Sequence, residues 1–355
     1  MKDIWGKIKT WIEARPLEVG LGGIALAVFG ITFGVVGLAS RGEPSESPAT
    51  TTTTEIVAET TEPAQPGDPV TSSTTEPVES GAARIAVRID NAPDARPQVG
   101  LGAASLVVET PLEGGMTRFT AYYLPGTAPV VVGPVRSVRP VDADLTAPFA
   151  TTLVATGGQP FVLQDFAPAG VALAMPETAP GFQALERPSP YNLFVNLEQV
   201  EAVYPPTPVD EAGLPEGDLP GGADAATVAV PFATEIGWEY TDGAYVRTEG
   251  GEPFMVLPDL ESESAQYAAD TVVVVFAAQR SAGYTDGNGV DVPTFDVIGQ
   301  GRLLVFAGGK VVAGSWARSA QEDPYRFFTE SGESFGIPPG RTHMMVVPRE
   351  LEVGY

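Results

Sequence analysis

The feature that most constrains this chain is a run of 22 residues near its N-terminus, residues 19–40, that contains no charged side chain. A helix of this length crosses roughly 30 Å of hydrocarbon, at about 1.5 Å of rise per residue. A secretory signal core is usually shorter, about 7–15 residues, so the run predicts a retained transmembrane anchor. Cleavage after Ala39 is the alternative, because Gly37 and Ala39 are both small.

The basic residues around this span predict its orientation. Four bases precede it and one follows closely: Lys2, Lys7, Lys9 and Arg15 before it, and Arg41 after it. The positive-inside rule therefore places residues 1–18 on the cytoplasmic side and everything after residue 40 outside. Apolar side chains recur at helical spacing within residues 3–15, which predicts a short helix lying in the headgroup region. The first turns of the anchor helix are the alternative interpretation.

Composition narrows the chemistry available to the outer region. The chain has 355 residues, 43% of them hydrophobic, and a net charge of -25. It can build large cores but repels phosphate backbones, so nucleic acid is not expected as a partner. The absence of cysteine excludes disulfides, thiolate nucleophiles and cysteine-based metal sites. Because His343 is the one histidine, a histidine-rich metal site is excluded too, and we expect no cofactor.

Changes in composition divide the outer region into a stalk and a first domain. Residues 41–83 are rich in Thr, Ser, Pro and Glu, and positions 42–83 hold eight acids and no base. Such a segment cannot bury enough apolar surface to fold, which predicts a disordered stalk. For residues 84–205 the patterns predict strands and helices in mixed order, with strands at 85–90, 105–109, 117–124 and 151–158 and helices at 161–167 and 197–204. This order predicts an α/β or α+β domain.

A second domain is predicted after a linker. Residues 206–230 carry the prolines, glycines and acids typical of an interdomain connection. Residues 231–355 are predicted to be mostly β, with a hairpin turning at Asp242-Gly243, a central strand at 271–278, a hairpin turning at Gly308-Gly309 and a last strand at 342–348.

Several motifs in order resemble one bacterial envelope family. They are ARPQVGL (95–101), E-x-x-x-EGG-x-TRF (109–119), GPVRSVR (133–139), SPYNLF (189–194) and G-x-G-x-x-x-VF…GK…GSW (299–316). Together they resemble the YerB-type lipoproteins, whose function is undefined, over about residues 84–348. The resemblance implies an envelope location and the family's two-part fold. The chain departs from the family by lacking a lipid-attachment cysteine, and by carrying Ala155 and Tyr191 where members often have histidines.

Arginines of the first domain are the candidate ligand-binding residues. Residues 84–140 contain six arginines and four acids, a local excess of positive charge in a strongly acidic chain. Arg136 and Arg139 flank Ser137 just after the turn signal Gly133-Pro134, and a helix starting there would place both guanidiniums on one face. Planar guanidiniums near free backbone N–H groups suit a phosphate or a carboxylate. The candidate ligand-binding set is Arg118, Arg136, Ser137, Arg139 and Asn192.

Other interpretations of these residues remain open. Pairing of the arginines with Glu109 or Glu113 would make them a structural network instead. Glu109 and Glu113 could alternatively form an acid–base pair for glycosidic bond cleavage, although neighbouring arginines would lower both pKa values.

Two further sites have weaker support in the sequence. A nucleophile–base pair of Ser137 and His343 lacks a nucleophile-elbow motif. The loop at 286–291 offers Asp286, Asn288 and Asp291 to calcium, but it lacks the later glutamate of an EF-hand.

We therefore expect a noncatalytic binding or scaffold module of the cell envelope, held in the membrane by residues 19–40, whose arginine-bearing face docks an anionic wall-associated ligand. The alternative is an envelope glycan hydrolase using Glu109 and Glu113. Geometry separates the two hypotheses. Two carboxylates facing an open cleft favour the enzyme, whereas carboxylates held by arginines favour the binding protein.

Overall fold

The computed structural model describes residues 84–208 and 213–355. The predicted cytoplasmic segment, transmembrane anchor and stalk, residues 1–83, lie outside these ranges. Within them, no helix is long and apolar enough to cross a membrane. The described residues belong to one compact unit, Ser72–Tyr355.

Strands predominate in both halves of the described chain, and helices are short. The first half contains β1 (Ile85–Asp90), β2 (Leu106–Pro111), β3 (Thr117–Tyr123), β4 (Val131–Val132), β5 (Thr152–Val154), β6 (Ala172–Ala174), β7 (Phe182–Ala184) and β8 (Leu193–Asn196). Its helices are α1 (Val141–Thr146), α2 (Pro160–Leu163) and α3 (Leu197–Glu201). The fold class is thus mixed and rich in strands.

The second half is built from strands, which agrees with the prediction of a mostly β region. Its shorter strands are β9 (Ala223–Asp224), β10 (Thr227–Val230), β11 (Ile236–Thr241), β12 (Ala244–Glu249), β13 (Glu252–Pro253), β14 (Met255–Val256), β15 (Ala265–Gln266) and β16 (Ala268–Ala269). These are followed by β17 (Thr271–Thr285), β18 (Asp291–Asp296), β19 (Gly299–Ala307), β20 (Lys310–Arg318), β21 (Arg326–Thr329), β22 (Ser334–Phe335) and β23 (Thr342–Pro348).

The largest sheet joins strands from both halves of the chain. Its order is β22-β21-β20-β19-β17-β23-β2-β3-β1-β5-β6, with β18 paired to β17 and β9 paired to β20. The last strand, β23, lies between β17 and β2 and runs parallel to both. Residues on either side of the predicted 206–230 linker therefore contribute to one sheet.

Side chains alternate between two apolar cores, one on each face of this sheet. Along β17, Val272 and Val274 belong to one core and Val273 and Val275 to the other. The small sheet of β10 to β13 and β16 contributes Trp238 to the first core. Helix α1 and the chain after it contribute to the second. Burial on both faces explains why the start of β17 is an uninterrupted apolar run.

Local sequence signals predicted two hairpins, several other long strands and two of the three helices. The hairpins β11–β12 and β19–β20 turn at Asp242-Gly243 and Gly308-Gly309, as expected from their glycines, which have positive φ. Helix α3 begins after Asn196, whose side chain accepts a hydrogen bond from the Gln199 backbone N–H at 3.2 Å. The helix predicted at 161–167 is shorter than expected, because α2 ends at Leu163 and turns follow.

The predicted linker is packed where the structure describes it. Leu214 is buried in the second core, and Glu216 forms an isolated bridge with Ile337. Gly213 lies so close to Phe149 that an added Cβ would come within 2.0 Å of the ring. This approach requires glycine at that position.

Candidate functional site

The arginine-bearing segment 133–139 is extended, and the prediction of a helix starting after Gly133-Pro134 is wrong. The backbone N–H of Arg136 donates to the Arg88 carbonyl at 2.8 Å, and Val138 N–H donates to Gly157 O at 2.9 Å. The segment is thus held between the end of β1 and the chain after β5, and the helix begins only at Val141. A proline disfavours helix in the residue before it, which agrees with this outcome.

Three motif segments meet beside this region. Val99 bridges Gly133, Val135 N–H donates to Leu193 O at 2.7 Å, and Arg187 donates to Pro97 O at 2.9 Å. Each segment contains one cis X-Pro bond, at Arg96-Pro97, Gly133-Pro134 and Ser189-Pro190. Motifs that are distant in sequence therefore build one local structure.

We call the ionic cluster on this side the arginine face. It consists of Arg88, Arg118, Arg136 and Arg139 with the acids Asp90, Glu113 and Asp142. Four guanidiniums against three carboxylates leave a surplus of positive charge. Arg88, Asp90 and Asp142 were not in the predicted site. Charged residues inside the apolar β1 strand were the available signal, because a buried charge requires a partner.

Asp90 holds the centre of the arginine face. Its Oδ2 accepts from Arg118 Nη2 and from Arg136 Nε, each at 2.9 Å, and its Oδ1 accepts from the Ala92 backbone N–H at 2.7 Å. Burial acts to raise the pKa of Asp90, but Arg118 and the hydrogen bonds outweigh it and leave that pKa lowered. Asp90 is therefore a fixed anion that orients two of the predicted binding arginines.

Arg88 and Asp142 form the deepest pair of the cluster, with Nε and Oδ2 3.0 Å apart and both side chains fully buried. Thr110 and Thr120 hydroxyls accept from the other two guanidinium nitrogens at 3.0 and 2.9 Å. Burial lowers the pKa of Arg88 and raises that of Asp142. The attraction between the two charges shifts each pKa in the opposite direction but is the weaker effect. Such a pair fixes geometry more than it adds stability.

Arg139 is held by Glu113. Its Nε donates to Glu113 Oε2 at 3.0 Å, and its Nη2 donates to Glu113 Oε1, so the contact is bidentate. Burial acts to raise the pKa of Glu113, but its hydrogen bonds with Arg139 leave it lowered. Arg139 is therefore paired with Glu113 in a structural network, as the alternative to ligand binding predicted for this arginine.

Arg136 differs from the other arginines of the cluster. Its side chain is 25% exposed and makes one ion pair, through Nε. The Tyr191 ring lies against the guanidinium, 5.7 Å from Cζ to the ring centroid. The two terminal nitrogens have no acceptor among the residues that the structure describes. Arg136 is therefore a partly exposed arginine that Asp90 holds through Nε, with two donors that have no partner in the described residues.

The remaining predicted binding residues have mixed placements. Arg118 is buried and donates to the Ser137 carbonyl at 2.8 Å, which makes it a support for Arg136. The Ser137 hydroxyl lies 3.3 Å from the Thr156 hydroxyl. The Asn192 carbonyl accepts from Leu185 N–H at 2.8 Å, close in sequence to Tyr191. The structure thus places Ser137 with the arginines, and Asn192 contributes a backbone contact.

Glu109 belongs to a separate, fully buried network between the large and small sheets. Arg247 donates to it bidentately, at 2.5 and 3.0 Å, and the His343 Nε2 atom lies 2.8 Å from its Oε2. Burial acts to raise the pKa of Glu109, but Arg247 and His343 hold it well below its usual range. Glu109 and Glu113 therefore do not face a common open cleft, and each is held by its own arginine.

His343 is neutral in this network. Burial lowers its pKa, even though Glu109 favours the proton. An Nε2–H donor to Glu109 leaves Nδ1 to accept from the Tyr267 hydroxyl, 3.1 Å away. His343 and Ser137 thus have different partners in different networks, which gives no nucleophile–base pair.

The 286–291 loop is a turn whose aspartate side chains accept hydrogen bonds from nearby residues. Asp286 accepts from the backbone N–H groups of Asn288 and Val290 at 2.9 and 2.8 Å, and Asp291 accepts from Ser281 at 2.5 Å. In the described part of the chain, no group of three or more His, Asp or Glu side chains is arranged to hold a metal ion.

Two family models match this chain in order. The one described as "Protein of unknown function (DUF3048) N-terminal domain" matches residues 70–209, and the corresponding C-terminal domain matches residues 227–344. Together they cover more than half of the chain. The boundary between them falls within the predicted linker.

A relative from Bacillus subtilis (strain 168), named "Putative lipoprotein YerB", is 39% identical over 92 residues, which is 26% of this chain and 28% of that protein. The matched segment thus spans little more than a quarter of the relative. The crystal structure of the YerB protein from Bacillus subtilis matches with a TM-score of 0.62 at 22% identity, over 77% of this chain and 94% of that chain. The likeness of structure shows a shared fold, the motif resemblance is confirmed, and the chain belongs to the YerB-type DUF3048 family.

Proposed function

We propose that this chain is a noncatalytic binding protein of the cell envelope, whose arginine face docks an anionic group of a wall-associated ligand. Arg136 carries the proposal. Its guanidinium is oriented by Asp90 and Tyr191, yet its two terminal nitrogens make no hydrogen bond with any residue that the structure describes. A preorganised fork of this kind recognises a carboxylate or a phosphate at little entropic cost.

The charge of the cluster supports an anionic ligand. Burial is the main cause that lowers the pKa of Arg118 to about 10, and the nearby Arg88, Arg139 and Arg136 lower it further. These guanidiniums therefore repel one another, and an arriving anion relieves part of that repulsion. The surrounding chain, with its charge of -25, makes the arginine face the favoured point of contact for an anion.

The carboxylates support a binding role over hydrolysis. A glycosidase needs two carboxyl groups that flank the substrate across an open site. Glu109 is fully buried against Arg247, and Glu113 is paired with Arg139. Lowered pKa values suit fixed anions and oppose a general acid.

The proposed location is outside the cytoplasm, with residues 19–40 as a single-pass anchor. The support is the uncharged run with its preceding bases, together with similarity to a protein named as a lipoprotein. Protease added to intact cells with an opened wall should remove the region after residue 40 and spare residues 1–15. Recovery of a soluble protein that begins near Ser40 would contradict the anchor.

The binding experiment uses the full chain and purified wall fragments of two kinds, one with carboxylate groups and one with phosphate groups. Arg136→Lys keeps the charge but loses the planar fork, so affinity should fall about tenfold or more, since a charge-assisted hydrogen bond contributes about 1.5–3 kcal/mol. Arg326→Gln is the matched control, because Arg326 is an exposed arginine on β21. Equal losses in both variants, or no binding of either fragment, would contradict the proposal.

A further inference from the structure

A second polar cleft lies beside the arginine face. It has a volume of about 440 Å³, a size typical of small-ligand sites. One wall is formed by α1 and the segment from α2 to Pro168, and the other by the hairpin of β17 and β18. The chain after β20 contributes Gln321. The cleft is separate from the contacts used in the proposed function.

The hairpin presents one face to this cleft. Arg280 and Ala282 alternate along β17, and Thr294 lies opposite Arg280 on β18. Tyr284 lies in the irregular part of the β17–β18 pairing and packs edge-to-face against Phe161, with ring centroids 5.1 Å apart. Phe161 remains 48% exposed, so an aromatic surface is available at the wall of the cleft.

The charge in the cleft is unbalanced. Asp144 Oδ1 accepts from Gln321 Nε2 at 2.7 Å, and its other oxygen receives no hydrogen bond from the residues in the described ranges. Asp165 makes no side-chain hydrogen bond or ion pair with any residue that the structure describes. Arg280 is already paired with Asp296, with Nε and Oδ1 2.8 Å apart. The lining residues thus carry two carboxylates against one guanidinium, and the Arg318 guanidinium also acts on Asp144. Burial raises the pKa of Asp144, and the Gln321 hydrogen bond and Arg318 oppose this rise only in part.

A hydroxyl that lines the cleft also has no partner. Thr294 is 4% exposed and lines the cleft, and its Oγ1 has no hydrogen bond within residues 84–208 and 213–355. This hydroxyl oxygen is therefore free to accept a hydrogen bond from a donor in the cleft. Asp144, Asp165 and Thr294 together offer three acceptors on one cleft.

We propose that this cleft binds the primary ammonium group of an organic ligand, either a free amine or a lysine-type side chain of a peptide. An ammonium carries three N–H donors, which matches the three acceptors. Its charge neutralises the excess acid, and the exposed face of Phe161 attracts a cation. The aliphatic chain that carries the amine packs on Pro140, Pro168 and Phe161. A bare metal ion would find two carboxylates beside the Arg280 guanidinium, which is a poor ligand set.

The test is isothermal titration of the full chain with N-acetyl-lysine methylamide and with cadaverine, against the uncharged N-acetyl-norleucine methylamide. Binding of either amine with no binding of norleucine is expected. Binding of both amines shows that the amine alone suffices, and a preference for the lysine derivative identifies a peptide source. Equal heats from the norleucine compound, or no heat from any amine, would overturn the proposal.

Variants locate the amine in the cleft. Asp165→Asn and Asp144→Asn should each weaken binding by about tenfold, the usual loss for a charged hydrogen-bond partner. Phe161→Leu keeps the apolar contact but removes the π face, and a several-fold loss is expected. Glu239→Gln is the control, since Glu239 is an exposed acid on β11. Melting curves verify that each variant is folded. An equal loss in Glu239→Gln would show general attraction to an acidic protein and reject the site.

Discussion

At the scale of single residues, the buried charges are shared between two networks with different roles. Arg247 is enclosed by three aromatic rings and binds Glu109 between the large and small sheets. This network is completely buried and joins β2, β12 and β23. The arginine face, in contrast, keeps Arg136 partly exposed. Exposure, more than residue type, distinguishes the proposed binding arginine from the structural ones.

His343 predicts a pH dependence of the unfolding free energy near neutral pH, and it is the one histidine of the chain. Its folded pKa is lowered from 6.5 by burial, so the unfolded chain takes up the proton first as pH falls. The stability that neutral His343 provides is therefore present above about pH 6.5 and is lost below it. Between pH 7.5 and 5.5 the unfolding free energy should fall by at most about 1.4 kcal/mol, the limit for a histidine that stays neutral in the folded state over this whole range.

The matched variant for this prediction is His343→Gln, which can still donate to Glu109 but cannot take up a proton. Its unfolding free energy, from denaturant curves of the untagged chain, should lack this loss over the same pH range. Asp142 contributes the opposite sign, because its raised pKa makes its ionised form costly as pH rises. A wild-type curve and a variant curve of the same slope would contradict the neutral, buried histidine.

The local composition of the sequence was enough to predict part of the candidate site. The excess of arginines pointed to the region that became the arginine face, and Ser137 and Arg139 lie in it. The ion partners were not predictable, because Asp90 pairs with Arg118 across a strand register and Asp142 meets Arg88 through a helix that starts later than expected. Long-range pairing of this kind leaves no local signal.

At the scale of elements, short-range sequence signals predicted the hairpins, but they could not predict the order of the strands in the sheet. Glycine turns flanked by apolar runs predicted β11–β12 and β19–β20. The position of β23 between β17 and β2 depends on contacts between distant residues. A helix starting after Gly133-Pro134 was the condition for placing Arg136 and Arg139 on one face, whereas the backbone of this segment is hydrogen-bonded to Arg88 and Gly157.

The GSW motif has a steric explanation at this scale. Gly314 lies on β20 opposite Thr329 of β21, and an added Cβ would come within 2.0 Å of the Phe328 carbonyl oxygen. Gly314→Ala should therefore lower the unfolding free energy by about 1–3 kcal/mol, the usual cost of overpacking. Gly287→Ala is the control, because a Cβ there meets nothing within 4 Å. Equal melting temperatures for Gly314→Ala and the wild type would contradict the close approach.

At the scale of the whole molecule, both matched regions share one sheet and two continuous cores. The segment Ser72–Tyr355 should consequently unfold in a single transition. Expressed separately, residues 72–208 should not fold, since β2 would lose its partner β23 and both cores would be opened. Calorimetry measures the number of unfolding transitions of residues 72–355, and circular dichroism measures whether residues 72–208 fold alone. Two separated transitions, or a cooperative fold in the shorter piece, would instead support independent domains.

Arg136 and Arg139 differ in the property that decides whether the arginine face is a ligand site. Both lie on the arginine face, but Arg139 is bound bidentately by Glu113, whereas Arg136 keeps two donors free of acceptors in the described structure. The direct measurement is melting and wall-fragment binding of Arg136→Lys and Arg139→Lys side by side. We expect Arg136→Lys to lose binding with nearly unchanged melting, and Arg139→Lys to melt at a clearly lower temperature, because the Glu113 pair is broken. Full binding by Arg136→Lys with a lowered melting temperature would contradict the claim that the arginine face is a ligand site.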